Sequence, residues 1–204
     1  MKKNSIYVYI AASLAMIIPA PGRFACGIIL VFELNFLMLL GTIVRFFIRR
    51  LNIDQMKYVL LISILVFLTM FMRQILVFCM PETALQLGFV MYLPTVSSFL
   101  IGYMFDDNEY MLKDELAVNM KHSLSYSLFA LIFFLFRDIA GFGTIMFIAP
   151  SGICEKVLFN SDRITALSFL ATIPGALVFA AVILIVYVFL MNKFRILEKA
   201  GLEK

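Results

Sequence analysis

The chain has 204 residues, of which 63% are hydrophobic and only 15% charged, with a formal net charge of +4. Roughly a quarter of a soluble domain's residues are charged, so this composition excludes a water-coated globule and predicts one membrane domain with no soluble one. The modest positive charge is spread over connections, which points to orientation in a lipid bilayer and not to nucleic acid.

A helix that crosses the hydrocarbon needs roughly 20 mostly apolar residues, so the length accommodates about six. Segment one is Ile6 to Ile18, preceded by Lys2 and Lys3. A charged start and a short apolar run also describe a signal peptide. Here more apolar chain follows, not a small-x-small site and a soluble stretch, so an uncleaved segment is expected. It stops at Pro19-Ala20-Pro21-Gly22. Segment two runs from Phe24 to about Val44 and ends in Arg45, Arg49 and Arg50. Segment three, Tyr58 to Met80, is closed by Pro81-Glu82. Segment four, Thr83 to Phe105, is interrupted at Pro94 and followed by Thr95-Val96-Ser97-Ser98.

A polar stretch from Asp106 to Lys121 reads as a solvated loop, because its acidic residues lack the spacing and turn glycine of a calcium loop. Segment five is Leu124 to Phe136, extended at its start from Leu116. A mixed connection, Arg137 to Arg163, leads to segment six, Thr165 to Met191, with Pro174-Gly175 inside it. Continuous apolar runs need internally paired backbone in lipid, which predicts helices; barrel strands would be short and alternating.

Basic residues favour the cytoplasmic side. With the N-terminus inside, twelve lie there: Lys2, Lys3, Arg45, Arg49, Arg50, Lys57, Lys113, Lys121, Lys193, Arg195, Lys199 and Lys204. Four lie outside: Arg23, Arg137, Lys156 and Arg163. The bias predicts both termini in the cytoplasm and an even number of spans. Segments one and four each open one half of the chain and each is short or proline-broken. Matched breaks of this kind point to inverted repeats with a site at the midplane. The predicted fold is therefore all-α, with six transmembrane helices in two inverted three-helix repeats, about 5–80 and 83–192. Half-helices broken at Pro19, Pro21 and Gly22 and at Pro94 open the two repeats.

Few other residues suggest chemistry. The phenylalanines and methionines form no recognisable cofactor box, and no nucleotide-binding or hydrolase motif appears. A single histidine, His122, cannot build a bis-histidine haem or a multi-histidine zinc site. Cys26, Cys79 and Cys154 lack metal or disulfide spacing and read as buried, inert thiols. Glu33 lies inside segment two, where a carboxylate is costly and marks an ion path by default; a structural pair with Arg73 of segment three is the equal alternative. Asn35 is suited to hydrogen-bonding a neighbouring helix. Arg137-Asp138 reads as an interfacial anchor at a span end.

Several runs resemble the membrane subunits of the Rnf/Nqr family. Gly88-Phe89-Val90-Met91-Tyr92-Leu93-Pro94-Thr95-Val96-Ser97-Ser98-Phe99-Leu100-Ile101-Gly102 looks like that family's half-helix, in which a cysteine stands four residues before a glycine; Ser98 matches the cysteine and Gly102 the glycine. Arg137-Asp138-Ile139-Ala140-Gly141-Phe142-Gly143-Thr144 is similar to its Arg-Glu-Ile-x-Gly-x-Gly-Thr. Ile173-Pro174-Gly175-Ala176 resembles its Pro-Gly-Ala, and Ala11-Ala12-Ser13-Leu14 sits where it has Gly-Leu-Cys-Pro. Of the family's two branches, which are inverted relative to each other, the one with both termini inside is the one this chain resembles. The resemblance implies a bacterial cytoplasmic (inner) membrane component of a complex coupling electron transfer to sodium or proton translocation. Its partners would be a sister membrane protein of inverted topology and subunits carrying flavins and Fe–S centres.

In that family each of the two sister proteins lends two cysteines to one [2Fe–2S] cluster, and those positions hold Ser13 and Ser98 here. A hydroxyl keeps its proton far more tightly than a thiol and is a poor iron ligand, so no cofactor is expected in this chain. Two other classes remain open: a stand-alone small transporter built on the same inverted repeat, and a structural assembly subunit. Partner subunits carrying flavin and Fe–S favour the first reading; their absence favours the transporter.

Overall fold

The computed structural model describes residues 4–51, 56–102, 111–149, 152–158 and 168–202. The chain is predominantly helical. In order it forms α1 (Asn4–Met16), α2 (Phe24–Arg50), α3 (Lys57–Cys79) and α4 (Pro81–Leu87); a 3-10 turn, Gly88–Tyr92, leads into α5 (Leu93–Gly102). Then come α6 (Leu112–Phe142), strands β1 (Thr144–Ala149) and β2 (Gly152–Val157), a second 3-10 turn (Ser168–Ala171), and α7 (Ile173–Leu202).

Among the described residues, four helical stretches are long and apolar enough to cross a membrane: Phe24–Arg50, Lys57–Cys79, Pro81–Gly102 and Leu112–Phe142. Helix α1, with 13 residues, is about 20 Å long at 1.5 Å per residue, short of the roughly 30 Å of hydrocarbon. Helix α7 contributes a shorter apolar stretch, Ile173–Val186. Large apolar side chains face outward all over this bundle; Phe78 is 90% exposed and Leu85 86%. In water such a surface would aggregate, whereas a bilayer solvates it.

The core lies where α2 and α6 pack side by side and α1 packs on α5. It joins Ala12, Met16 and Ile17 to Leu30 and Leu34 of α2, Leu87 and Met91 before α5, and Tyr126, Phe133 and Phe134 of α6. Gly27 makes the close approach of α2 to α6 possible, because a Cβ there would run into the Phe134 ring. Helix α3 buries only Leu61, Leu65 and Thr69, mainly against Leu37 and Met38 of α2.

Four expectations are corrected. First, the all-α prediction misses a hairpin: β1 and β2 pair antiparallel with Phe147 opposite Cys154. Its β-branched and aromatic residues suit a strand, and they follow Gly143, whose positive φ of 67° ends α6 in a left-handed cap. Second, the polar stretch 106–121 is helical from Leu112 onward, and Glu115 and Asn119 are buried because each finds a polar partner; the segment 103–110 lies outside the described residues. Third, Pro94 does not interrupt a helix but sits in the first turn of α5, where its missing N–H costs nothing. The discontinuity falls earlier, at Gly88 (φ 48°) and the 3-10 turn. Fourth, Pro174 and Gly175 open α7 and do not lie within a span, which again is where proline is tolerated.

Candidate functional site

The break after α1 is local chemistry. The residue before a proline avoids the helical region, and Pro19 and Pro21 flank Ala20, so the helix ends at Met16 and α2 starts at Phe24. Such an end leaves carbonyls without partners inside the helix. They are completed from elsewhere in the chain. Arg137 of α6, fully buried at 1% exposure, donates from Nη1 to the Ala20 carbonyl at 2.7 Å and the Ile17 carbonyl at 3.3 Å. Its Nε and Nη2 reach the Leu170 carbonyl at 3.1 Å, Ala171 at 3.0 Å and Thr172 at 3.4 Å. One guanidinium thus ties the end of α1 to the start of α7. Gly22 makes room for it, since a Cβ would lie 3.0 Å from Arg137 Nε.

The C-terminal end of α5 is held in a matching way. Arg45 of α2 donates to the Gly102 carbonyl at 3.2 Å. It also pairs with Glu115 of α6 at 3.2 Å, and Arg49 pairs with the other oxygen of the same carboxylate at 3.1 Å.

Between these two ends runs a polar seam. At the crossing of α1 and α5 the Ser97 hydroxyl donates to the Ala12 carbonyl at 3.0 Å, and the buried Tyr126 hydroxyl faces Ser13 and Ser97. Along α2 and α6, Asn35 donates to Ser127 Oγ at 2.8 Å and accepts from Ser123 at 2.7 Å. Asn119 donates to Thr42 at 3.0 Å.

Two of these contacts set intervals that relate pairs of the others. Ala12 and Ser97 are 85 positions apart, and Asn35 and Ser127 are 92 apart. The interval of 85 also takes Ile17 to Gly102, and that of 92 takes Arg45 to Arg137, so the bonds Arg45–Gly102 and Arg137–Ile17 correspond. The interval of 92 likewise takes Gly27 to Asn119 and Thr42 to Phe134, so Gly27 on Phe134 corresponds to Asn119 on Thr42.

No family model, curated protein or solved structure matches the chain.

The run Arg137 to Thr144 has a structural account residue by residue. Asp138 Oδ2 accepts from the backbone N–H of Phe24 at 3.0 Å and of Met146 at 2.9 Å. It therefore caps α2 from another helix, where a negative charge suits the helix dipole, and anchors β1. Arg23 neutralises it at 3.7 Å, donates to Thr144 Oγ1 at 2.9 Å and pairs with Glu155 at 3.1 Å. Gly141 lets the Ala171 backbone approach; a Cβ would lie 2.9 Å from its nitrogen. Gly143 supplies the left-handed cap. Gly175 similarly leaves no space for a side chain against the Phe169 carbonyl. The expected interfacial anchor at Arg137-Asp138 is thus a buried hub.

Glu33 and Arg73 are not brought together. Arg73 is exposed and reaches the Tyr92 hydroxyl at 3.5 Å, while Glu33 is buried with neither oxygen hydrogen-bonded among the described residues. Of the cysteines Cys26 is buried, but Cys79 at the end of α3 and Cys154 in β2 are exposed, because both stand where packing is thin.

Ser13 lies in α1, and Ser98 is fully buried in α5. Ser98 donates its hydroxyl proton to the Thr95 carbonyl at 2.9 Å, so its oxygen is not poised as an anionic ligand.

The sequence reading missed Glu115, Asn119, Ser123 and Ser127 as partners in the seam. Their spacing of four places them on one stripe of α6, a signal that runs from the polar stretch into segment five.

The crossing of α1 and α5 is directly testable. In a chain without its native cysteines, Ala12→Cys and Ser97→Cys are expected to cross-link in most molecules under a lipid-soluble oxidant, read as a shift in gel mobility. A pair with Cys at 12 and 85, the latter on the exposed face of α4, should stay uncoupled; equal coupling of both pairs counts against the contact.

Proposed function

We propose that the chain is an integral membrane subunit of an Rnf/Nqr-like complex that drives sodium or proton translocation by electron transfer. It would lie in a bacterial cytoplasmic membrane with six spans and both termini inside. The observation that carries this reading is the correspondence of Arg45–Gly102 with Arg137–Ile17. Two halves related by an inverting pseudo-two-fold axis would place an arginine of each second helix on the end of the other half's broken first helix. Self-paired contacts such as Asn35–Ser127 and Ala12–Ser97 would then lie on the axis.

What further supports the family is that three of its resembling residues, Arg137, Gly141 and Gly175, meet at the junction that finishes the α1 break, and Pro174 opens the helix beside it. The donor chemistry at Ser13 and Ser98 favours a subunit without its own cluster, acting as scaffold and as part of the ion path. Redox carriers then belong to partners: a sister membrane protein of inverted topology and subunits holding flavins and Fe–S centres.

The deciding experiment is affinity purification of the tagged chain from its native membranes in mild detergent. The reading predicts co-purification of a second six-span protein and of flavin-containing subunits. Recovery of this chain alone, with transport in proteoliposomes and no redox partner, would establish the stand-alone transporter instead.

A further inference from the structure

Glu33 lies in the N-terminal half of α2 with 1% of its surface exposed, and both carboxyl oxygens lack a hydrogen-bond partner among the described residues. Its neighbours one turn away on the helix, Ile29, Leu30, Phe36 and Leu37, are all apolar. The nearest polar side chain along the helix, Asn35, is committed to Val31, Ser123 and Ser127.

The arginines described above are engaged elsewhere. Arg23 serves Asp138 and Glu155, Arg45 and Arg49 serve Glu115, Arg137 serves backbone carbonyls, and Arg73 turns to Tyr92. None of the ion pairs among the described residues includes Glu33. An isolated ionised carboxylate in such surroundings is so costly that the group takes up a proton instead. A metal cation would need several oxygen ligands at once, and among the described residues Glu33 belongs to no cluster of three or more acidic, histidine or cysteine side chains. Every other buried carboxylate described here, Glu115 and Asp138, has a cation or N–H donors, so Glu33 is the one whose chemistry the packing leaves unexplained.

We propose that Glu33 is a proton-exchanging site: a neutral carboxylic acid in the resting bundle whose ligand is the proton and not a metal ion. This deepens the ion-path part of the proposed function and rests on it only for where the proton travels. Exchange is a simple step, in which the O–H bond breaks, the proton leaves to water, and a proton from water replaces it.

The test is infrared spectroscopy of the full chain in native-like membranes, comparing the wild type with Glu33→Gln. The expected result is a protonated-carboxyl C=O band present only in the wild type and displaced in D2O. A second measurement needs no variant. Dicyclohexylcarbodiimide adds to a protonated acid in an apolar site: the carboxyl oxygen bonds to the carbodiimide carbon, the acid proton moves to nitrogen, and nothing leaves. Peptide mapping should then place the adduct on Glu33. The proposal is overturned by absence of the band, by a band that does not move in D2O, or by labelling confined to other carboxylates. Redox partners are neither needed nor reported by these measurements, so their outcome is separable from that of the co-purification.

Discussion

Replacing Arg137 by alanine is expected to destabilise the protein by about 3–5 kcal/mol, the largest effect of any single substitution. Five backbone carbonyls from two junctions converge on this one guanidinium. A hydrogen bond from a charged donor contributes roughly 1.5–3 kcal/mol, and a buried acceptor left without a donor costs about 1–3 kcal/mol. Water can reach some of these carbonyls once the side chain is gone, which keeps the total below the simple sum. Arg137→Lys should restore less than half of the loss, because an ammonium cannot span acceptors that lie on both sides of a planar fork. Denaturant titration of the purified protein in detergent checks both; a loss below about 1 kcal/mol for the alanine variant would contradict the clasp.

The second large effect is expected at Glu115. Its carboxylate is 1% exposed and neutralises Arg45 and Arg49, whose side chains are 9% and 25% exposed. Removing one partner of a buried ion pair costs about 3–5 kcal/mol. Because Arg49 is within reach of water, about 2–4 kcal/mol is the expectation for Glu115→Ala. Glu115→Leu combined with Arg45→Leu should recover much of it, since apolar replacement of a whole buried pair is often neutral or better. If the double variant is as unstable as the two single losses added together, the pair is not the cause.

The sequence made the helical architecture and the ends of its elements legible where one physical rule dominates. Proline and glycine marked the end of α1 at Pro19 to Gly22 and the start of α4 at Pro81. Continuous apolar runs marked α2 and α3. It misled where a polar residue is buried by its partner. Glu115 and Asn119 look solvated in isolation, and nothing local reveals that Arg45 and Thr42 stand opposite them. The same blindness applies to Glu33 and Arg73: a carboxylate and a guanidinium in adjacent segments invited a pair, but helix rotation decides what meets. Among the candidate residues, Arg137 and Asp138 were singled out for their place in a motif, and only the three-dimensional arrangement explains why those two residue types stand there. The hairpin escaped because six-residue strands leave a weak pattern beside spans several times longer.

The clasp by Arg137 also carries a consequence for how the chain is made. Synthesis runs from the N-terminus, so α1 and its break emerge and enter the bilayer before residue 137 exists. Until α6 arrives, the carbonyls of Ile17 and Ala20 have no guanidinium to receive them. Gly102 is in a different position, because Arg45 has already been made when it emerges. The first half of the nascent protein thus ends its broken helix on unsatisfied carbonyls until α6 is made, whereas the second half is born onto a waiting donor.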